Sequence, residues 1–120
     1  MQPNKHRTWA EIDLGAIEHN YRVICEAAKA PVLCVVKADC YGHGAVPVAN
    51  RLQSMGAPYF AVATVPEAVE LRENGIEKPI IILGYIDAAD MDTVAEYGIT
   101  APVYDEETAE LLSAAAGRPG

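Results

Sequence analysis

The stretch "VLCVVKADCYGHG", Val32 to Gly44, joins an uninterrupted apolar run to a lysine and a loop that contains two glycines. A short continuous apolar run is typical of a parallel strand that is buried on both faces. The sequence therefore predicts a buried strand at Val32–Val36, with Lys37 at its exit. The residues on either side of this strand decide what kind of sheet it belongs to.

Strand and helix patterns alternate on both sides of this strand. Upstream, apolar residues recur at three- and four-residue steps from Leu14 to Ala28, which predicts a helix. Downstream, further strands are predicted near Tyr59, Ile80 and Ile99, and a helical pattern follows each of them. Alternation of this kind is typical of right-handed βαβ units on a parallel sheet, so the chain is predicted to be α/β.

The number of predicted strands leaves two architectures open. Four βα units are half of a closed (β/α)8 barrel, which needs about 250 residues, whereas this chain has 120. The pattern fits either a fragment of a longer barrel protein or a self-contained, four-stranded open sheet. A short strand is also predicted at Thr8–Leu14, where apolar and polar residues alternate. Thr64 and Glu67 have the spacing of a capping box and predict a helix start.

Composition disfavours several function classes. Nine Lys and Arg against 17 Asp and Glu give a net charge of −8, which disfavours a nucleic-acid or anionic-membrane surface. No apolar run approaches the roughly 20 residues of a membrane span, and "MQPNKHRTWAEIDL" lacks the apolar core of a secretory signal. We therefore expect a cytoplasmic protein. Cys25, Cys34 and Cys40 lack the paired spacing of a zinc site, so they are interpreted as reduced thiols and no metal is predicted.

Lys37 lies where parallel α/β proteins place their catalytic side chains, at the carboxyl end of a strand. Its amine could bind a ligand as a point charge, form a Schiff base with a carbonyl, or simply face solvent. The phenol of Tyr41 could reach a phosphate oxygen, His43 offers a second donor, and the glycines allow close approach of a ligand. From the residues alone, a ligand site and an ordinary loop both remain open.

Four segments in the same order resemble the alanine racemase family. "VVKADCYGHG" is similar to the family's signature, with Asp39 and Cys40 where the family has Asn and Ala. "TWAEIDLGAIEHNYR" resembles the family's opening, "FAVATVPEAVELRENGI" the segment after the signature, and "PIIILGY" the next strand. The resemblance covers nearly the whole chain, and the roles of Asp39 and Cys40 stay open.

The resemblance implies the N-terminal part of a pyridoxal 5′-phosphate enzyme that interconverts L-alanine and D-alanine for peptidoglycan precursors. It implies that Lys37 forms the internal aldimine with the cofactor and acts as a base on one face of the substrate's α-carbon. It further implies that Tyr41 lies near the cofactor phosphate and that Leu83 lines its ring.

The resemblance also implies a domain organisation and a partner. Residues 14–120 would form the first half of a partial (β/α)8, TIM-like barrel that binds the cofactor. Residues 1–13 would contribute a strand to a C-terminal β-domain that this chain lacks. That domain supplies the family's second base, a tyrosine, across the interface of a homodimer, so we expect the 120-residue chain alone to be inactive.

Three other functions remain as alternatives. The protein could racemise serine or another small amino acid, or it could be a non-catalytic pyridoxal-phosphate-binding barrel protein. It could also be a structural or interaction domain in which the lysine is incidental. The downstream coding sequence would separate these readings, because only a racemase needs the C-terminal β-domain.

Overall fold

The computed structural model of the protein describes residues 7–117. Residues 1–6 and 118–120, the outer parts of the two predicted domain segments, lie outside the described residues. The strands are β1 (Leu33–Val35), β2 (Tyr59–Val62) and β3 (Ile80–Ile82). The helical segments are α1 (Leu14–Ala28), α2 (Lys37–Tyr41), α3 (Ala45–Ser54), α4 (Val65–Glu73), a 3₁₀ turn (Ala88–Asp90), α5 (Met91–Glu96) and α6 (Glu106–Ala116).

The three strands form one parallel sheet in the order β1-β2-β3, which confirms the predicted α/β class. Cys34 is in register with Phe60, and Phe60 with Ile80, so the three side chains share one face of the sheet. These residues belong to the buried core, and the next residues on the same face, Val36 and Val62, are also buried. The helices cover this face, which we call the covered face.

The opposite face of the sheet, the open face, leaves side chains of β1 and β2 exposed although the small Ala61 on it is buried, and the prediction of full burial for β1 is wrong. Val35 is 47% exposed and Tyr59 42% exposed, although both belong to strands. Nothing among residues 7–117 packs over these side chains closely enough to bury them. An apolar run does not show which neighbours a strand has, and β1 lies at the edge of the sheet with only β2 beside it.

The prediction of a full fourth strand near Ile99 is also wrong. The strand is not formed at full length. It is reduced to a single parallel bridge between Ile81 and Thr100. Two hydrogen bonds form it, from Thr100 N to Ile80 O at 2.8 Å and from Ile82 N to Thr100 O at 3.0 Å. Pro102, two residues after Thr100, has no N–H with which to extend the ladder.

The N-terminal strand predicted at Thr8–Leu14 does not form in the structure. Residues 9–13 pair with no strand in the described part of the chain, and Trp9 is 60% exposed. A strand needs a neighbour to satisfy its backbone, so an alternating pattern alone is not sufficient. Asp13 instead caps α1, because its Oδ1 accepts a hydrogen bond from Ala16 N at 3.1 Å.

Helix α1 has the bounds that its apolar periodicity predicts, but its apolar stripe is only half-covered. Ile17 and Tyr21 pack against the core, whereas Ile24 is 53% exposed. An ion pair from Arg51 Nη1 to Glu18 Oε2 at 3.1 Å connects α1 to α3. The predicted capping box of α4 is confirmed, since Thr64 Oγ1 accepts from Glu67 N at 3.3 Å.

One arginine joins the loops at the amino ends of the later strands. Arg72 Nη1 donates to Ile76 O at 2.8 Å and to Lys78 O at 2.7 Å, just before β3. Its Nε donates to Tyr97 O at 2.8 Å and its Nη2 to Gly98 O at 3.0 Å, just before the Thr100 bridge. We call this end of the sheet the amino edge and the opposite end, where the strands exit, the carboxyl edge.

Candidate active site

The predicted site residues lie at the carboxyl edge of the sheet. Val36 N donates to Ala61 O at 2.9 Å, so Lys37 is the first residue past the β1 ladder. Leu83 directly follows β3, and its N donates to Val62 O at 2.8 Å. Both positions therefore are fixed by backbone pairing to β2, the central strand of the sheet.

Lys37 and Tyr41 come together at this edge. Lys37 is half-buried, and its Nζ lies 6.0 Å from the centroid of the Tyr41 ring, at the outer limit of a cation–π contact. The Tyr41 side chain is 73% exposed and that of Leu83 is 53% exposed. An amine and a phenol thus stand beside each other, while Leu83 offers an apolar surface two strands away.

The segment α2, which carries Lys37 and Tyr41, is a left-handed turn. Ala38, Asp39, Cys40 and Tyr41 have φ angles of 52°, 53°, 53° and 51°. Left-handed backbone costs roughly 1–2 kcal/mol per residue with a Cβ, so consecutive residues of this kind are unusual. Strained backbone is found mainly at functional sites and persists only where its surroundings hold it. Nothing in the sequence pattern indicates this turn.

Glycines and Asp39 hold the end of the left-handed turn. Gly42 and Gly44 have φ angles of 91° and 88°, which residues with a Cβ rarely adopt. Gly44 N donates to Asp39 O at 3.0 Å, and Ala45 N donates to Asp39 Oδ1 at 2.9 Å. The Asp39 carboxylate therefore caps the start of α3, which accounts for an acid at this position.

His43 has a local role in this turn. Its Nδ1 lies 2.9 Å from Cys40 O, and its backbone N donates to the same oxygen at 3.1 Å. These contacts hold Nδ1 of the imidazole within the loop. The ordinary-loop interpretation therefore fits His43, while Lys37 is half-buried and Tyr41 is exposed at the carboxyl edge.

Glu67 is a further residue of this edge that sequence reasoning missed. Its Oε1 accepts from Ala63 N at 2.9 Å and from Thr64 N at 3.0 Å, both just past β2. Its Oε2 accepts from Ala38 N, the amide that follows Lys37. The capping-box spacing indicates the contacts of Oε1 at the exit of β2. No local sequence pattern could indicate the contact of Oε2 with Ala38.

The cysteines beside the turn are held as thiols. Burial, together with the nearby Cys25 and Cys40, raises the pKa of Cys34 to about 11. Burial also raises the pKa of Cys40, with the Asp39 carboxylate adding to the effect. All three cysteines are free in the structure, and a thiol with a raised pKa is a poor nucleophile at neutral pH.

Residues 7–117 contain neither a cluster of metal-ligating side chains nor a membrane-spanning helix. No group of three or more His, Cys, Asp or Glu side chains there could hold a metal ion. No helix in that range has both the length and the apolar character needed to cross a membrane.

Comparison with known proteins gives a consistent set of relatives. The family described as "Alanine racemase, N-terminal domain" matches residues 12–120. Alanine racemase 1 of Clostridium acetobutylicum is 49% identical over 109 residues, which are 90% of this chain and 28% of that protein. The alanine racemase of Clostridium difficile 630 in complex with cycloserine superposes with a TM-score of 0.89 at 40% identity, over 95% of this chain and 32% of that one.

A histidine racemase from Leuconostoc mesenteroides subsp. sake also has a similar structure. Its TM-score is 0.77 at 32% identity, and the match covers 87% of this chain and 28% of that chain. In each of these comparisons, this chain spans less than a third of the relative's length.

Proposed function

This chain belongs to the alanine racemase family, and we propose that it is the first part of a pyridoxal 5′-phosphate enzyme that interconverts L-alanine and D-alanine. The observation that carries the proposal is the placement of Lys37 on a strained, fixed turn at the open carboxyl edge. In the cell, this reaction would supply D-alanine for peptidoglycan precursors.

The side chains at the carboxyl edge fit this cofactor chemically. The amine of Lys37 can bond to an aldehyde carbon, and the phenol of Tyr41 can donate to a phosphate oxygen. Leu83, 53% exposed on the open side of β3, offers an apolar surface to a flat ring. When bound, the cofactor withdraws electrons from the substrate's α-carbon and makes its proton acidic.

Within this proposal, Lys37 has two tasks at one atom. Its Nζ would hold the cofactor and would accept or return the α-proton of the substrate on one face. Tyr41 stands over the same amine, at 6.0 Å from Nζ to the ring centroid, and limits the directions in which the lysine side chain can point. A racemase needs a base on the other face too, which we assign to a part of the protein beyond this chain.

The open face of the sheet supports a barrel in the complete protein. Val35 and Tyr59 are 47% and 42% exposed, and β1 has a free edge within the described residues. We propose that further strands close a (β/α)8 barrel over this face, that residues 14–120 are its first half, and that residues 1–13 belong with a C-terminal β-domain. A cytoplasmic homodimer is part of the same proposal.

A racemase for another amino acid is the second candidate. The similarity to a histidine racemase, at 32% identity and a TM-score of 0.77, favours it, because the same portion of the fold occurs with a different named substrate. The two candidate functions share the role of Lys37 and differ only in the amino-acid substrate that reaches this lysine. Initial rates of the full-length protein on L-alanine, L-serine and L-histidine would rank the substrates.

The test of the proposed function uses the full-length protein and its D-alanine production. Lys37→Ala removes both the attachment point and one base, so we expect the rate to fall by about 10²- to 10⁴-fold or more. Lys78→Ala is the matched control, because the Lys78 side chain lies at the amino edge and its backbone oxygen stays available to Arg72. A Lys37→Ala enzyme within tenfold of wild type would contradict the proposal.

A further inference from the structure

We infer that Glu67 is a positioning residue that fixes the backbone from which Lys37 projects. This inference rests on the proposed role of Lys37 and adds a residue that acts on it from another helix. Glu67 lies in the first turn of α4, whereas Lys37 opens α2 just past β1. The carboxylate therefore joins two βα units at the edge where the site lies.

The Glu67 carboxylate has two separate sets of partners. Oε1 accepts from Ala63 N at 2.9 Å, Thr64 N at 3.0 Å and Thr64 Oγ1 at 3.2 Å, all at the exit of β2. Oε2 accepts from Ala38 N, which is 29 residues away in sequence and lies at the exit of β1. A capping box requires only the first set, so the bond to Ala38 is an additional function of the second oxygen.

The bond to Ala38 acts on Lys37 through one peptide group. Ala38 N belongs to the peptide unit that joins Lys37 to Ala38, so its direction sets the orientation of the Lys37 backbone. Ala38 is also the first residue of the left-handed run, with φ 52°. A hydrogen bond to an ionised acceptor is about twice as strong as a neutral one, which suits a contact that must hold strained backbone.

The beginning and the end of this turn are held in the same way. Glu67 accepts from the amide of Ala38 at its start, and Asp39 accepts from the amide of Ala45 beyond its end. The Asp39 contact is local, whereas the Glu67 contact reaches from a neighbouring unit. The direction in which Lys37 leaves β1 is thereby tied to the position of α4.

Two substitutions separate the two functions of Glu67. In Glu67→Gln the side chain keeps one acceptor oxygen, and the three donors at the β2 exit select it. The amide nitrogen then faces Ala38 N, and two donors cannot bond, so only the contact with Ala38 is lost. Thr64→Ala removes the helix cap and one of the three donors to Oε1, but it keeps the two backbone donors to Oε1 and the contact of Oε2 with Ala38.

The first measurement is amide hydrogen exchange at Ala38 in the full-length protein without cofactor. We expect Glu67→Gln to speed exchange of this amide by about 10- to 100-fold, as the loss of a charge-assisted hydrogen bond predicts. Thr64→Ala should leave exchange at Ala38 within about twofold of wild type while it lowers the melting temperature. If Glu67 only capped α4, the two variants would change the rate of amide exchange at Ala38 to the same extent.

The second measurement is steady-state kinetics of the same variants with pyridoxal 5′-phosphate bound. We expect Glu67→Gln to lower kcat about tenfold with little change in KM, and Thr64→Ala to leave both constants within about twofold. Unchanged exchange at Ala38 in Glu67→Gln would overturn the inference, and so would faster exchange with an unchanged kcat. A wild-type protein that does not attach the cofactor to Lys37 would instead contradict the proposed function, and the exchange measurement would still decide whether Glu67 holds Ala38.

Discussion

The two edges of the sheet are built in opposite ways. At the amino edge, the single guanidinium of Arg72 satisfies the carbonyl oxygens of Ile76, Lys78, Tyr97 and Gly98 at 2.7 to 3.0 Å. At the carboxyl edge, four consecutive residues hold left-handed backbone and Tyr41 is 73% exposed. One end therefore secures the fold, whereas the other is open and strained, as the proposed catalytic role of Lys37 requires.

The largest effect on stability should come from Arg72→Ala at the amino edge. Four carbonyl oxygens would lose a charged donor at once, so we expect the free energy of unfolding of the chain to fall by about 3 to 4 kcal/mol. Urea denaturation measures the change. Arg22→Ala is the control, because Arg22 is 63% exposed and pairs only across one helical turn, to Glu18, so its loss should barely shift the transition.

Arg72→Ala also tests whether the two edges are independent. Folded full-length protein with this substitution should keep its kcat within about twofold, because the four hydrogen bonds of Arg72 all lie at the amino edge. A large loss of kcat in fully folded protein would show that the amino edge sets the geometry of the site.

A smaller effect is expected from Cys34, which lies on the covered face between the two edges. Burial raises its pKa from 9.0 to about 11. Below pH 9 both the folded and the unfolded chain keep this proton, so its contribution to stability is constant. Between about pH 9 and 11 only the unfolded chain loses it, so the free energy of unfolding falls with rising pH, by at most about 2 to 3 kcal/mol.

Urea denaturation at a series of pH values would check this contribution. Cys34→Ala should flatten the loss of stability between pH 9 and 11, whereas Cys25→Ala, which keeps the buried Cys34 thiol, should retain most of it. Burial, followed by a hydrogen bond to Cys25, raises the pKa of Tyr21 to about 12, so the loss that continues to higher pH should be larger in Cys34→Ala than in Cys25→Ala. Identical pH profiles for the two variants would mean that Cys34 is not the titrating group.

The smallest effect concerns Asp39, at the end of the left-handed turn. Asp39→Ala removes the acceptor for Ala45 N and places a residue that disfavours left-handed backbone at φ 53°, so it should cost about 1 to 2 kcal/mol. Asp39→Asn should change stability by less than about 0.5 kcal/mol, because Asn caps helices and tolerates this conformation equally well. Equal losses in the two variants would show that the carboxylate charge, rather than the cap, matters here.

The features that sequence predicted correctly are local ones. The bounds of α1 follow from its apolar periodicity, and the start of α4 from the spacing of Thr64 and Glu67. The central strand β2 is buried at Phe60, Ala61 and Val62, and the alternation of strands with helices correctly indicated a parallel sheet. The resemblance identified the family correctly, while the roles of individual site residues stay predictions.

The features that sequence missed depend on distant or absent neighbours. The strand at Thr8–Leu14 lacks a partner among the described residues, and the one near Ile99 stops at a single bridge before Pro102. The left-handed turn opposes the preference of each of its residues and is held by Glu67, 29 residues from Ala38. A periodic pattern carries no information about such a contact.

The most direct test of the proposed role of Lys37 is to identify the lysine that carries the cofactor. Full-length protein would be incubated with pyridoxal 5′-phosphate, reduced with borohydride to fix the bond, digested and mapped by mass spectrometry. We predict the pyridoxyl group on Lys37, the residue at the strained carboxyl edge. A label on Lys29, at the end of α1, or on Lys78, at the amino edge, would contradict it.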